Sequence, residues 1–358
     1  NLIPSFSNGT NFLVKHRWNF VCLGLLLIIP AAYSQAHTQV YYNLDRSLPK
    51  DLDSIVATDK LKKQFNMAST HFIICDDKLP SYKLENMTDE IKDLDGIESV
   101  LAYNDIIGPA VPDAFIPQNV KDVCKKGGRQ LIMVNSQYKA AEDKENEQID
   151  KIIGISKKYD NTSQVTGEGP LTKDLIEIAD IDFKVTNYIS ILCILLIVGI
   201  VFKSFTVPVF LVSIIELAIF INMGIPYFTG TIIPFISPTV IGCVQLGATV
   251  DYSILMTTRF QEELKAGRSR LEAIKIASNT SFKSIITSSL VFFCATFGVS
   301  LVSKIEIISS ICSMLARGAI ISALVIILIL PSVLYVTEGI IAKTSYCWKT
   351  IKKNKKAA

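Results

Sequence analysis

The sequence is short of the groups on which most catalysis depends. Its three histidines (His16, His37 and His71) are scattered, and none stands at metal-ligand spacing from another. No nucleophile–base constellation can be assembled from them, so an enzyme is not indicated. No Gly-rich loop ends in Lys-Ser/Thr, which removes the usual cradle for ATP phosphates. No CxxC pair occurs among the eight cysteines, so neither a zinc knuckle nor a dithiol redox site is available. Cys22, Cys193, Cys243, Cys294 and Cys312 lie in apolar runs and Cys347 in a basic tail. Cys75 and Cys124 fall in polar sequence, where one disulfide or two free thiols are equally open. A net charge of +3, from 36 basic and 33 acidic residues, is too small to argue for a nucleic-acid partner. No metal or other cofactor is expected.

What the chain has in abundance is apolar sequence. Hydrophobic residues make up 49% of it and the mean hydropathy is +0.37. They cluster into runs of the length that crosses a bilayer core as a helix. Six spans are predicted: 18–35, 186–202, 207–228, 232–258, 284–302 and 307–336. The chain begins with Asn1, no small-residue cleavage site follows the first run, and a fragment or one half of a longer polypeptide is expected.

Between the first and second spans lies polar sequence with mixed periodicities. Strands are predicted at 70–76, 97–103, 129–136 and 163–169, and helices at 82–94 and 144–159. Pro109, Pro112 and Pro117 mark a connection after the second strand. The order βαβ–βαβ is that of a ferredoxin-like split arrangement. Residues 170–184 read as a helix running into the second span, a rigid link able to carry motion between polar domain and membrane. The fold class expected is an α-helical membrane protein with six transmembrane helices, arranged 1+5, and an external α+β ferredoxin-like domain inserted after the first.

Charge gives the orientation. Lys15, His16 and Arg17 precede the first span. Arg259, Lys265, Arg268, Arg270, Lys275 and Lys283 follow the fourth, and the tail carries Lys343, Lys349, Lys352, Lys353, Lys355 and Lys356. All fall on one side if the N-terminus is cytoplasmic. The expected division is therefore a cytoplasmic N-terminus and first span (1–35), an extracytoplasmic domain (36–184), spans two to four (185–258), and a cytoplasmic basic amphipathic connection (259–283). Spans five and six (284–336) and a cytoplasmic basic tail (337–358) complete it. The tail anchors topology and can touch anionic lipid headgroups. The location implied is the plasma membrane, with both termini inside.

Against this background the charges inside the spans stand out. An ionised carboxylate at mid-membrane costs on the order of 2.5–3.5 kcal/mol on insertion scales, so it needs a partner, a wet cavity or a proton. Asp251, in "GATVDYSILMTTRFQEEL", sits in the fourth span beside Tyr252. An Asp that takes up and releases a proton can couple a proton gradient to motion, and Tyr252 adds a hydroxyl able to donate or accept a hydrogen bond. The bland alternative, an Asp near enough to the cytoplasmic interface to be wet, draws on Arg259 two turns away. Gly247 and Ala248, one turn before Asp251, let a neighbouring helix approach, and Gln245 shares a stripe with Tyr252. Thr287, Ser288 and Ser289 in the fifth span are candidate hydrogen-bond partners, or simply satisfy their own backbone. Glu216 and Arg317 are further intramembrane charges: Glu216 functional or structural, Arg317 a counter-charge or a side chain snorkelling outward.

These features resemble one half of an RND (resistance–nodulation–division) transporter of the MMPL type. The resemblance rests on the 1+5 frame, on Gly247 through Leu264 with its Asp-Tyr, Arg-Phe and acidic pair, and on the following "KAGRSRLEAIKIASNTSFKSIITSSL". The segment "VQLGATVDY" resembles a second, C-terminal half. It implies a proton-driven exporter of hydrophobic or lipid-like compounds or drugs, with Asp251 carrying the proton and Tyr252 as its relay partner. The polar domain would be a porter subdomain. It also implies that the other half, from the same longer chain or a second copy, completes the relay about a pseudo-twofold axis. Two other readings stand beside it. Sec-associated relatives of the same frame carry Asp followed by small or amide residues, which Tyr252 disfavours. A membrane-anchored binding or sensing protein without transport would not need Asp251.

Overall fold

The computed structural model describes residues 7–43, 45–103, 105 and 124–346. Pro109, Pro112, Pro117, Cys347 and the tail lysines from Lys349 onward lie outside that range. The chain divides into two compact units, Tyr42–Ile181 and the remainder, Asn1–Tyr41 with Asp182–Ala358.

The elements run α1 (Ser7–Lys15), α2 (Arg17–Ala36), β1 (Val40–Tyr41), a 3-10 turn, α3 (Asp53–Phe65), β2 (Ser69–Asp76), α4 (Ser81–Lys92) and β3 (Ile97–Leu101). Then follow β4 (Lys125–Lys126), β5 (Arg129–Ser136), α5 (Asp143–Tyr159), β6 (Gln164–Gly167) and α6 (Glu168–Phe202). The chain continues through α7 (Thr206–Thr229), β7 (Ile233–Pro234), α8 (Ser237–Lys265), α9 (Arg270–Val302) and α10 (Glu306–Thr344).

In the smaller unit the strands lie in the order β3-β5-β2-β6, all antiparallel, with β4 on β5. The alternation of β2 is clean: Ser69, His71, Ile73 and Cys75 are buried while Thr70, Phe72, Ile74 and Asp76 are partly open. Period-two burial of this kind is what a sheet covered on one face requires. The cover comes from α4 and α5, whose Leu84, Met87, Ile91 and Ile152 pack with Ile73, Val100, Ile132 and Val134. Cys75 and Cys124 are free thiols.

Six helices, α2, α6, α7, α8, α9 and α10, are long and apolar enough to cross a membrane, as in a multi-pass membrane protein. Within the larger unit α7 and α10 are the most buried, whereas α6 and α9 turn most of their apolar surface outward. Leu211, Ala218, Phe260, Ile326, Leu330 and Leu334 form its main core. Close packing depends on small residues: Gly224 of α7 lies against Ser34 and Ala31 of α2, where any Cβ would collide with the Ser34 hydroxyl. Thr38 seals the same contact by donating to the carbonyls of Ser34 and Met223.

Hydropathy ends the fourth span at 258, but α8 continues to Lys265. The fifth span opens the same way, as α9 already starts at Arg270. Ser269 caps α9 with a reciprocal Ser269–Glu272 capping box, which holds this polar stretch helical before the apolar run begins. Residues 266–269 are the turn between the two helices, and Arg270 pairs with Glu338 of α10 at 2.5 Å.

Candidate functional site

Asp251 is fourteen residues from each end of α8 (Ser237–Lys265), about 21 Å along the axis from the Ser237 end and about 12 Å from Arg259 at 1.5 Å per residue. That depth puts it inside the apolar layer. Helical steps of 100° then separate it from its neighbour. Tyr252 points inward and is 6% exposed, packed with Met256 and Phe260 in the core. Asp251 points outward, beside Gly247. Among the described residues it makes no hydrogen bond and no ion pair.

A cavity of about 220 Å³ lies between α8 and α9 at this level. It is lined by Ala248, Asp251, Tyr252, Leu255, Ser284, Ile285, Ser288 and Phe292. That volume is ample for water. The hydroxyls of Tyr252, Ser284 and Ser288 are unengaged among the described residues, so four polar side chains surround one space with their hydrogen-bonding capacity free. The arrangement suits a short proton path from carboxylate through water to hydroxyl. Ser284 is an addition to the residues expected from sequence. Its signal was spacing: it stands one turn before Ser288 on the same face of α9.

The other candidates are distributed differently. Ser289 is buried and donates to the Ile286 carbonyl, and Thr287 is exposed and donates to Lys283, so each serves its own helix. Gly247 has open space where a Cβ would be.

Gln245 belongs to a separate network whose amides are fully buried. Its Nε2 donates to Ser322 Oγ at 2.9 Å, and its Oε1 accepts from Asn222 Nδ2 at 2.8 Å. Asn222 also donates to the Met314 carbonyl, and its Oδ1 and backbone carbonyl accept from Arg317 at 2.9 and 3.0 Å. The network ties α7, α8 and α10 together. Gly318 makes room for it, because a Cβ there would strike Gln245 Oε1 and lie 2.6 Å from Asn222 Nδ2. Sequence reading missed Asn222 and Ser322. An amide in the apolar run of α7 was the available signal.

Arg317 therefore neither pairs with Asp251 nor snorkels free: it is directed inward at Asn222. Glu216 lies on yet another face, in an apolar cavity of about 350 Å³ with Ile28, Ile191, Leu195 and Phe220, and its Oε1 is buried without a partner. The three intramembrane charges occupy three different cavities.

The six long apolar helices agree with what a comparison of families returns. Residues 46–353 match the model of the MMPL family. The chain belongs to the MMPL family. The Bacillus subtilis (strain 168) membrane protein YdgH is 25% identical over 287 residues, 77% of this chain and 31% of YdgH. The mycolic acid-containing lipids exporter MmpL11 of Mycolicibacterium smegmatis is 31% identical over 111 residues, 30% of this chain and 11% of MmpL11. The chain thus spans less than a third of the length of either relative. The MMPL match takes in the Asp251 cavity, the amide network and nearly all of the smaller unit.

Proposed function

We propose that this chain is one six-helix half of an MMPL-type exporter of hydrophobic or lipid-like compounds, driven by the proton-motive force. Asp251 carries the proton and Tyr252, Ser284 and Ser288 relay it. The observation that carries the reading is the placement of Asp251. It lies within the apolar run of α8, about two turns from its polar end, on a face that nothing covers among the described residues, beside a cavity of unengaged hydroxyls. A carboxylate so placed is costly toward hydrocarbon, so it is retained for a use that needs it.

The uncovered face consists of Val244, Gly247, Asp251, Ser284 and Ser288, small or polar side chains that allow a second bundle to approach closely. The partner we infer is the other half of the transporter, bringing its own acid to the same level. The smaller unit is read as an extracytoplasmic, ferredoxin-like porter domain, its strand order being that of two interlocked βαβ units. Lipid-like cargo is supported by the kinship with MmpL11, named as an exporter of mycolic acid-containing lipids. Each proton moving inward supplies about 2.3 kcal/mol per 100 mV, enough to shift a two-state equilibrium roughly fiftyfold.

The test is Asp251→Asn in the full-length protein at matched membrane abundance. Loss of proton-dependent export is expected, with Ser288→Ala giving a smaller loss and a displaced pH profile. Undiminished export in Asp251→Asn would overturn the relay.

A further inference from the structure

Arg317 leaves a charge unaccounted for. Its guanidinium has five N–H donors and does not deprotonate in proteins, whereas an acid such as Glu216 can escape burial by taking a proton. Two donors go to Asn222, one to its side chain and one to its backbone carbonyl. Three remain, and no carboxylate pairs with Arg317 among the described residues. Arg317 also lines a cavity of about 310 Å³ between α9 and α10, together with Phe293, Phe297, Ser313, Ala316, Ile320 and Ile321. Apart from Arg317 and the unengaged hydroxyl of Ser313, the lining is apolar.

Depth bears on the occupant. Asn222, which receives the guanidinium, is seven residues from the Thr229 end of α7, about 10 Å along the axis. The side chain of Arg317 leans toward the N-terminus of α10, the same end of the bundle. The charge is thus roughly a third of the way into the apolar layer, and the cavity opens sideways past Phe297 and Ser313, both exposed.

We propose that the α9–α10 cavity binds the oxyanion head of an acidic lipid, a phosphate or a carboxylate, with Arg317 as the recognising cation and Ser313 as a further donor. Planar guanidinium donors match two oxygens of such a group at once. Phe293, Phe297, Ile320 and Ile321 flank the attached chain. Asn222 is a positioning residue: by taking Nε and one N–H of Nη2 it fixes the plane of the guanidinium and aims the remaining edge into the cavity. The proposal rests on the membrane location of these helices and not on export through Asp251, so either can fail without the other.

The test uses the full-length protein in nanodiscs of mixed phosphatidylglycerol and phosphatidylcholine with matched chains, released for native mass spectrometry. Wild type is expected to retain phosphatidylglycerol at least fivefold over phosphatidylcholine. Arg317→Gln should abolish the preference and Arg317→Lys reduce it. Because Arg317→Gln also disturbs the amide network, Ser313→Trp serves as the second variant. It fills the cavity mouth without touching Asn222 or Gln245, and should likewise remove the preference while leaving thermal stability unchanged. Parallel arms with oleate and with inorganic phosphate separate sources: oleate competing with phosphatidylglycerol supports a lipid oxyanion, whereas retention of free phosphate alone overturns the lipid assignment. No preference in wild type would mean that another polypeptide segment supplies the counter-charge. A preference surviving Arg317→Gln and Ser313→Trp would place the lipid elsewhere. Either result refutes the proposal.

Discussion

The smaller unit contains a buried acid–base pair whose pH response can be worked out in advance. His71 of β2 and Glu145 of α5 are both 0% exposed, with Nε2 and Oε1 3.7 Å apart. Ser69 donates to Glu145 Oε1 at 2.7 Å, and neither ring nitrogen of His71 finds a partner. Gly169 closes the site: a Cβ there would lie 2.5 Å from Glu145 Oε1 and 2.6 Å from His71 Cε1. Burial pushes His71 down to about 4. Burial, against the Ser69 hydrogen bond and with Glu168 and Glu142 nearby, pushes Glu145 up to about 7. Both groups are therefore held neutral near pH 5.5.

For Glu145 the folded value exceeds the unfolded one, so its contribution is intact below about 4.5 and is lost as pH rises toward 7. For His71 the folded value is lower, so its contribution is intact above about 6.5 and is lost as pH falls toward 4. Each shift is worth roughly 3 kcal/mol at about 1.4 kcal/mol per tenfold change in proton affinity. The two slopes oppose each other, and between pH 4 and 7.5 the wild-type pair should contribute a stability flat to within about 1 kcal/mol. The perturbation is to remove one member. Glu145→Gln leaves the histidine term, and relative to wild type the domain should weaken by roughly 3 kcal/mol from pH 7 to pH 4. His71→Gln leaves the carboxyl term and should weaken by a similar amount from pH 4.5 to pH 7.5. The assay is hydrogen exchange of the β2 and β5 amides in the whole chain, corrected for intrinsic rates. Slopes of the same sign in the two variants would refute the reasoning. A wild-type maximum near pH 5.5 several kcal/mol above both flanks would show an ionised pair instead.

Gly318→Ala should lower thermal stability by about 1–3 kcal/mol, since its methyl displaces the Asn222–Gln245 amide pair. Gly247→Ala, with open space at its Cβ, should leave the stability of this chain unchanged. Ser269→Ala removes the α9 capping box and should cost about 1 kcal/mol, read from the same melts. Cys75 is fully buried and its thiol is pushed up to about 11 by burial, so it should resist alkylation at pH 8 until the domain is unfolded. Asp251→Asn should hold or raise thermal stability while abolishing export; a marked loss of stability would mean that the carboxylate serves packing instead.

The six apolar helices were legible because bilayer thickness sets a run length that composition reveals directly. Their polar ends were not, since hydropathy reports what touches lipid and not what is helical. The Ser269 capping box carries α9 for fourteen residues before the apolar run at 284. α3 also escaped notice, for a physical reason: it buries none of its residues, so no periodic apolar stripe marks it. At the site, Asp251, Tyr252, Ala248 and Ser288 line one cavity, whereas Gln245, four residues before Thr249 on the buried side, does not. Local spacing placed these side chains around α8 but could not say which face would be covered. That depends on α7 and α10, whose Asn222 and Ser322 are 23 and 77 residues from Gln245.

The division of α8 into two polar faces bears on what Asp251 can use. Gln245 and Tyr252 lie about 20° apart around the helix, and Asp251 about 120° from Gln245, at 100° per residue. On the inward face both Gln245 amide atoms are engaged, and Asn222, Ser322 and one edge of Arg317 are committed with them. None of Gln245, Asn222 and Ser322 can rotate toward Asp251 without leaving a buried donor or acceptor unmade, at about 1–3 kcal/mol each. The inward network thus fixes α8 in rotation and in doing so holds Asp251 outward. The carboxylate is left facing the hydroxyls of Tyr252, Ser284 and Ser288 across the α8–α9 cavity, and among the described residues any further partner has to reach it from the open side of α8.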